Sequence, residues 1–231
     1  MTYLQWALWI IGISLQVLVV TSLLRGPYRR FPFVLAYSVI LFLTSVVEIA
    51  SMVDTAGFAT SASARYYWVN DLILTSLTYC VVISLIYGSL SPERRARTGR
   101  WLIIGAALIA LISATLHRDD VYMSLERTKL SRDLNFMAAA MDMLLWLILI
   151  ASRRNDRELL MVSGGLGIQF TGAAIGHSLR QLSQGSKFAI FAGGLIVVLT
   201  HLIMLFVWWQ AFRKASKGNN HPAAITAGNV T

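Results

Sequence analysis

The chain has 231 residues, of which 56% are hydrophobic and only 13% are charged, and its formal net charge is +9. Soluble domains carry about 25% charged residues, so this composition argues against a soluble globular protein. The basic residues occur in short clusters between long apolar runs, a distribution that the positive-inside rule explains without any nucleic-acid partner.

Seven apolar runs follow one another along the chain, each near the roughly 20 residues that a helix needs to cross about 30 Å of hydrocarbon. The predicted spans cover residues 3–24, 31–52, 66–90, 101–116, 134–152, 158–180 and 188–212. No Lys or Arg precedes the first run and no small-residue cleavage site follows it, which argues against a removable signal peptide. We therefore predict an all-α integral membrane protein, a seven-transmembrane-helix bundle over residues 1–212. The polar residues 213–231 are predicted to form a disordered tail.

The sixth span is unusual because it contains five glycines, Gly164, Gly165, Gly167, Gly172 and Gly176. At about 100° per residue, three of them (Gly165, Gly172 and Gly176) fall on one stripe of a helix. A glycine inside a helix costs about 1 kcal/mol relative to alanine. In lipid, the close approach of helix backbones that glycine permits offsets that cost. The pattern predicts a central helix against which other helices pack.

The positions of Lys and Arg predict the orientation of the bundle. The connections after spans one, three and five, together with the tail, hold 13 of these residues, whereas the other connections hold 7. The first set is therefore predicted to be cytoplasmic, which places the amino terminus outside and the carboxy terminus inside. Trp101, Trp208 and Trp209 would form the inner aromatic belt. The short loops and arginine-rich turns indicate a bacterial inner membrane.

In this orientation the polar side chains of spans two to six converge near the outer surface. An ionisable group inside a membrane helix is costly unless it faces a cavity or a partner. The residues predicted to bind a small ligand or ion are Glu48, Asn70, Asp71, Asp142, Gln169, His177 and Arg180. In this hypothesis Asp142, Asp71 and Glu48 form the floor of an outward-facing pocket, and His177 and Arg180 form its rim. Interhelical pairs that only fix the packing would explain the same residues.

The motifs favour a non-catalytic protein of sensor-like or accessory type. The chain has no G-x-S-x-G, no H-E-x-x-H and no P-loop, which are signatures of common enzyme classes. Without a soluble output domain, a sensor of this kind would act through a cytoplasmic or membrane partner protein. The basic inner face could bind that partner or anionic lipid. The expected surroundings are the lipid bilayer and a small-molecule ligand.

Two other functions are compatible with the sequence. His117 and His177 are predicted at outer helix ends, where they could ligate a b-type haem, since no CxxCH motif is present for covalent attachment. Asp142, inside the fifth span, could instead serve a proton-coupled transporter of small solutes. The single cysteine, Cys80, excludes an internal disulfide and a cysteine-ligated metal cluster. The identity of any cofactor stays open.

Overall fold

The computed structural model describes residues 3–53, 61–89, 100, 136–149, 156–182 and 186–218. These ranges contain six helices and no strand: α1 (Tyr3–Leu24), α2 (Pro32–Val53), α3 (Ser61–Ser89), α4 (Phe136–Leu149), α5 (Arg157–Leu182) and α6 (Lys187–Gly218). Four of them, α1, α2, α5 and α6, are long and apolar enough to cross a membrane, and the apolar parts of α3 and α4 are shorter. The described part is thus all-helical, as expected of a multi-pass membrane protein. The predicted span 101–116 lies outside the described residues.

Two helices extend beyond the spans predicted from hydropathy. Helix α3 starts at Ser61 rather than near Tyr66, and α6 continues to Gly218 rather than ending at Phe212. The added residues are small or basic and include no proline, so nothing in them interrupts helical hydrogen bonding. Residues 213–218, which the sequence analysis assigned to a disordered tail, are therefore helical. Hydropathy marks where a chain leaves lipid, which differs from where its helix ends.

A cluster of ion pairs joins the α1–α2 turn to the start of α5. The guanidinium of Arg30 pairs with the carboxylates of Asp156 and Glu158, and the Arg30 to Glu158 distance is 3.1 Å. Asp156 also caps α5, because its Oδ1 accepts a hydrogen bond from the backbone N–H of Leu159 at 3.4 Å. The α1–α2 turn and the amino end of α5 therefore lie at one end of the bundle. We name it the Arg30 end, and the opposite one the distal end.

Helix α5 is central within the described part of the bundle. In an apolar stretch of 18 residues within its span, 56% of the residues are buried, against 17% in the corresponding stretches of α1 and α6 and 28% in that of α2. Its most extensive contact is with α6. A Cβ atom added to Gly176 would lie 2.6 Å from the carbonyl oxygen of Gly193, and one added to Gly172 would overlap the side chain of Thr200. The predicted glycine stripe is thus confirmed as the surface where two helix backbones meet.

Trp208 of α6 lies in the core, which corrects its predicted position in the inner aromatic belt. It is 0% exposed, and its indole N–H donates a hydrogen bond to the carbonyl oxygen of Val162 at 2.9 Å. The indole has room because Gly165 has no side chain. A Cβ atom added to Gly165 would lie only 2.9 Å from the indole. The Tyr37 ring packs edge-on against it, with ring centroids 5.9 Å apart. A tryptophan near a span end can therefore face inward as well as toward lipid.

Candidate functional site

The interior face of α2 carries one of the predicted site residues. Tyr37, Leu41 and Thr44 are each at most 9% exposed, and their spacing places them on one stripe of the helix. Glu48 continues this stripe one turn beyond Thr44, toward the distal end, and is partly buried. Its carboxyl group therefore belongs to the face of α2 that packs inside the bundle.

Asn70 of α3 joins this face of α2. The hydroxyl of Thr44 donates a hydrogen bond to Asn70 Oδ1 at 2.8 Å, in a partly buried position. A polar contact of this kind connects two membrane helices where their neighbours are otherwise apolar. Asp71 follows Asn70 in α3, but its side chain lies outside the described residues.

Gln169 and His177 of α5 carry polar atoms without partners. Gln169 Oε1 and His177 Nδ1 are buried, and neither has a hydrogen-bond partner within the described ranges. The two residues are eight positions apart, which is about 12 Å along a helix, between the middle and the distal end of α5. Buried polar atoms are nearly always hydrogen-bonded, so each exception calls for an occupant such as water, an ion or a ligand.

Arg180 lies at the distal end of α5, against the first turns of α6. A Cβ atom added to Gly194 would lie 2.8 Å from a guanidinium nitrogen of Arg180, and one added to Gly193 would lie 3.0 Å from its Cγ. The two glycines therefore leave room for the arginine side chain to pass over α6. This position agrees with a place at the rim of a site that opens at the distal end.

Asp142 occupies a different helix pair. It is 2% exposed on α4, and its Oδ1 accepts a hydrogen bond from the buried hydroxyl of Ser163 on α5 at 2.8 Å. Its Oδ2 packs against Gly167 of α5. A Cβ atom added to Gly167 would lie only 2.8 Å from this oxygen, so the carboxyl group occupies space that a side chain there would need. Arg157 lies at the Arg30 end of α5 and His177 lies near its distal end. Gly167 is about 15 Å along the helix from each of them. Asp142 is therefore at middle depth, rather than in the outer half as the sequence predicted.

An open groove of about 490 Å³ runs along the outside of α5, between α4 and α6. Among its lining residues, only Thr171 and Thr200 have polar side chains. The lining is formed by Trp146, Gly164, Gly167, Ile168, Thr171, Gly172, Ile175, Ile196 and Thr200. None of the predicted site residues lines this groove, so it is separate from the polar interior.

Two polar residues escaped the sequence analysis. Ser163 is 0% exposed and is the hydrogen-bond donor to Asp142, and Gln16 of α1 is 4% exposed with its Oε1 unpartnered in the described structure. In the sequence, neither residue lies beside an ionisable side chain or on the glycine stripe, the features that mark the predicted site residues. Gln16 is a carboxamide in the middle of the first apolar run, and that position is the signal that could have found it.

Metal and haem binding find no added support in the described ranges. No three His, Cys, Asp or Glu side chains come together there in a way that could hold a metal ion. His117, the partner of His177 in the haem hypothesis, lies outside the described residues, so that hypothesis stays a prediction. The chain matches no protein-family model, no curated protein and no solved structure. Its function therefore has to be inferred from these residues.

Proposed function

We propose that this chain is a sensor-like or accessory membrane protein that binds a small ligand or ion in the distal half of its bundle. The observation that carries the proposal is the pair of buried, unpartnered polar atoms on α5, Gln169 Oε1 and His177 Nδ1. Glu48 and Asn70 lie on the interior faces of α2 and α3 and add polar groups to the same region. Arg180 stands at its rim. Asp142 and Asp71 are not needed for this site.

The contact of Arg30 with Asp156 and Glu158 supports a topology of seven spans. Because these residues meet at one end of the bundle, the chain between them crosses the membrane an even number of times. In this proposal α2, α3 and α4 make three crossings, and the predicted span 101–116 makes the fourth. With α1, α5 and α6 the total is seven. The positive-inside rule then makes the Arg30 end cytoplasmic and the distal end external, in a bacterial inner membrane.

Cysteine labelling tests this topology, since Cys80 is the only cysteine to remove. In a Cys80→Ser background, Lys187→Cys is expected to react with a membrane-impermeant maleimide in intact spheroplasts. Arg29→Cys and Arg157→Cys are expected to react only after permeabilisation. All three positions are exposed, so a lack of reaction reports the side of the membrane rather than burial. Equal labelling of Arg29→Cys and Lys187→Cys in intact cells would contradict seven spans.

The two ends of the bundle suit a sensor or accessory role. The distal end holds the polar site, and the Arg30 end exposes Arg25, Arg29, Arg157 and Arg213. A basic surface of this kind suits an acidic partner protein or anionic lipid. A ligand can change the state of the bundle only if it binds one conformation more tightly than another. The tight α5–α6 contact connects the two ends and would carry such a change.

Native mass spectrometry of the full chain, released from a mild detergent, tests the ligand site. We expect a stoichiometric adduct on the wild-type protein that is lost in His177→Phe and Gln169→Met, because these variants remove the unpartnered polar atoms. Thr171→Val is the control, since Thr171 lies on the exposed groove side of the same helix. A wild-type protein without adduct, or an adduct kept by both site variants, would contradict the proposal.

A specific observation favours a second candidate function, a proton-coupled transporter. The carboxyl group of Asp142 is buried at middle depth and has a single described hydrogen-bond partner, Ser163. Ionisable groups inside membrane helices commonly belong to proton or ion pathways. In this alternative Asp142 binds and releases the proton and Ser163 orients its carboxyl group.

A further inference from the structure

Gln16 on α1 is almost completely buried, yet only one end of its amide is satisfied. Its Nε2 donates a hydrogen bond to Ser45 Oγ at 3.0 Å, and Ser45 in turn donates to the backbone oxygen of Leu41 at 3.0 Å. Gln16 Oε1 is left without a partner among the described residues. Because the Ser45 hydroxyl donates its only hydrogen to Leu41, the end of Gln16 that faces Ser45 has to be the donor nitrogen. The open end of Gln16 is therefore its oxygen.

Gln16 on α1 and Gln169 on α5 lie beside the same part of α6, the helix against which both α1 and α5 pack. One turn before Gln16, a Cβ atom added to Gly12 would lie 3.5 Å from the side chain of Leu202. Gln169 lies between Gly165 and Gly172 of α5, which meet α6 at residues 204–208 and at Thr200 respectively. Both amides therefore fall within about one helical turn of the same level of α6. Two buried, unpartnered amide oxygens thus occur in one layer of the bundle, on two helices that both pack against α6.

We infer that Gln16 and Gln169 together form a binding site for a small monovalent cation, one of Na⁺, K⁺ or ammonium. The inference rests on the proposed function, because it assigns a cation to Gln169, one of the two residues that carry the proposed ligand site. Carbonyl oxygens only accept hydrogen bonds, so the missing partner is electropositive. Oxygen ligands suit hard cations, and neutral carbonyl dipoles can replace the hydration shell of a monovalent ion. Ser45 and Thr44 place further hydroxyl oxygens beside this layer.

A divalent ion fits this layer less well. Calcium and magnesium sites in proteins are built largely from carboxylates, with six or more oxygen ligands for calcium. Within the described ranges, no three acidic, histidine or cysteine side chains are grouped to hold a metal ion. Two carboxamides supply dipoles without a full negative charge, which suits an ion of single charge.

Thermal unfolding of the full chain in mild detergent tests the inference. The protein is first exchanged into N-methyl-D-glucamine chloride, and NaCl, KCl or NH₄Cl then replaces that salt at constant ionic strength. We expect one of the three cations to raise the unfolding midpoint by several degrees in a saturable manner, because it binds the folded state. The shift is expected to disappear in Gln16→Met and in Gln169→Met. Ser14→Ala is the control, since Ser14 is exposed on α1 and bonds only its own helix.

The methionine variants carry their own check on folding. In N-methyl-D-glucamine chloride they are expected to unfold cooperatively at or above the wild-type midpoint, because each loses an unsatisfied buried oxygen. If either fails to fold, Gln169→Glu keeps an oxygen ligand and adds negative charge, so the cation concentration at half-saturation should fall. An increase, or no change, in that concentration would overturn the inference.

The outcome separates this inference from the proposed function. A wild-type midpoint that responds to none of the three cations overturns the cation site, as does a response that persists in both methionine variants. An adduct lost in His177→Phe would still support the ligand site in that case. A saturable cation shift that needs both glutamines supports the inference, whether or not an organic adduct is found.

Discussion

Replacing Gly176 by alanine is expected to lower the free energy of unfolding by about 1–3 kcal/mol, the usual cost of overpacking. The added Cβ atom would lie 2.6 Å from the backbone oxygen of Gly193 and 2.5 Å from a methyl group of Val197. A backbone atom cannot move aside as the end of a flexible side chain can, so α5 and α6 would have to separate. Reversible unfolding followed by circular dichroism in mixed detergent measures the loss.

Gly88 near the end of α3 provides the matched control for Gly176. A Cβ atom added there would meet nothing within 4 Å. Gly88→Ala is therefore expected to cause no loss of stability, since alanine also has the higher helix propensity. Equal effects of the two substitutions would mean that the α5–α6 contact does not depend on the absence of a side chain at Gly176.

Replacing Asp142 by asparagine is expected to reduce proton uptake to the level of protein-free liposomes, if Asp142 carries a proton through the bundle. Asparagine keeps the volume and keeps an oxygen that can accept the hydrogen bond of Ser163, so it removes only the ability to bind and release a proton. Proteoliposomes containing a pH-sensitive dye measure the flux, driven by a potassium diffusion potential with the interior negative. Unchanged uptake in Asp142→Asn would rule out the transporter function through Asp142.

Two serine variants separate the role of Asp142 from general effects of buried polar residues. Ser163→Ala removes the hydrogen bond to the carboxyl group and is expected to give a partial loss of uptake, because Asp142 then loses its orienting donor. Ser38 is 1% exposed on α2 and donates only to the backbone oxygen of Val34. Ser38→Ala is therefore expected to leave the flux unchanged. A loss as large in Ser38→Ala would point to a general leak.

The candidate site could be predicted in part from the sequence. Gln169 and His177 stood out because a polar residue in an apolar, glycine-rich span is unusual, and both prove to have buried atoms without a described partner. Gln16 is not predicted, since the first span has neither an acidic or basic residue nor a glycine stripe to mark one of its faces. Asp142 was recognised, but its depth and its partner Ser163 depend on how α4 is placed against α5. No local pattern in either helix specifies that placement.

The sequence alone determined the helical, apolar character of the protein, the range of its first helix at Tyr3–Leu24 and the glycine surface of α5. These features follow from hydropathy and from residue spacing, which are local properties of a single helix. Only the tertiary structure decided that Trp208 fills the core, that Arg30 joins the α1–α2 turn to the start of α5, and that Gln16 shares a layer with Gln169. Each of these depends on which helices are neighbours and at what height they meet. Those relations arise from packing between segments that are far apart in the chain.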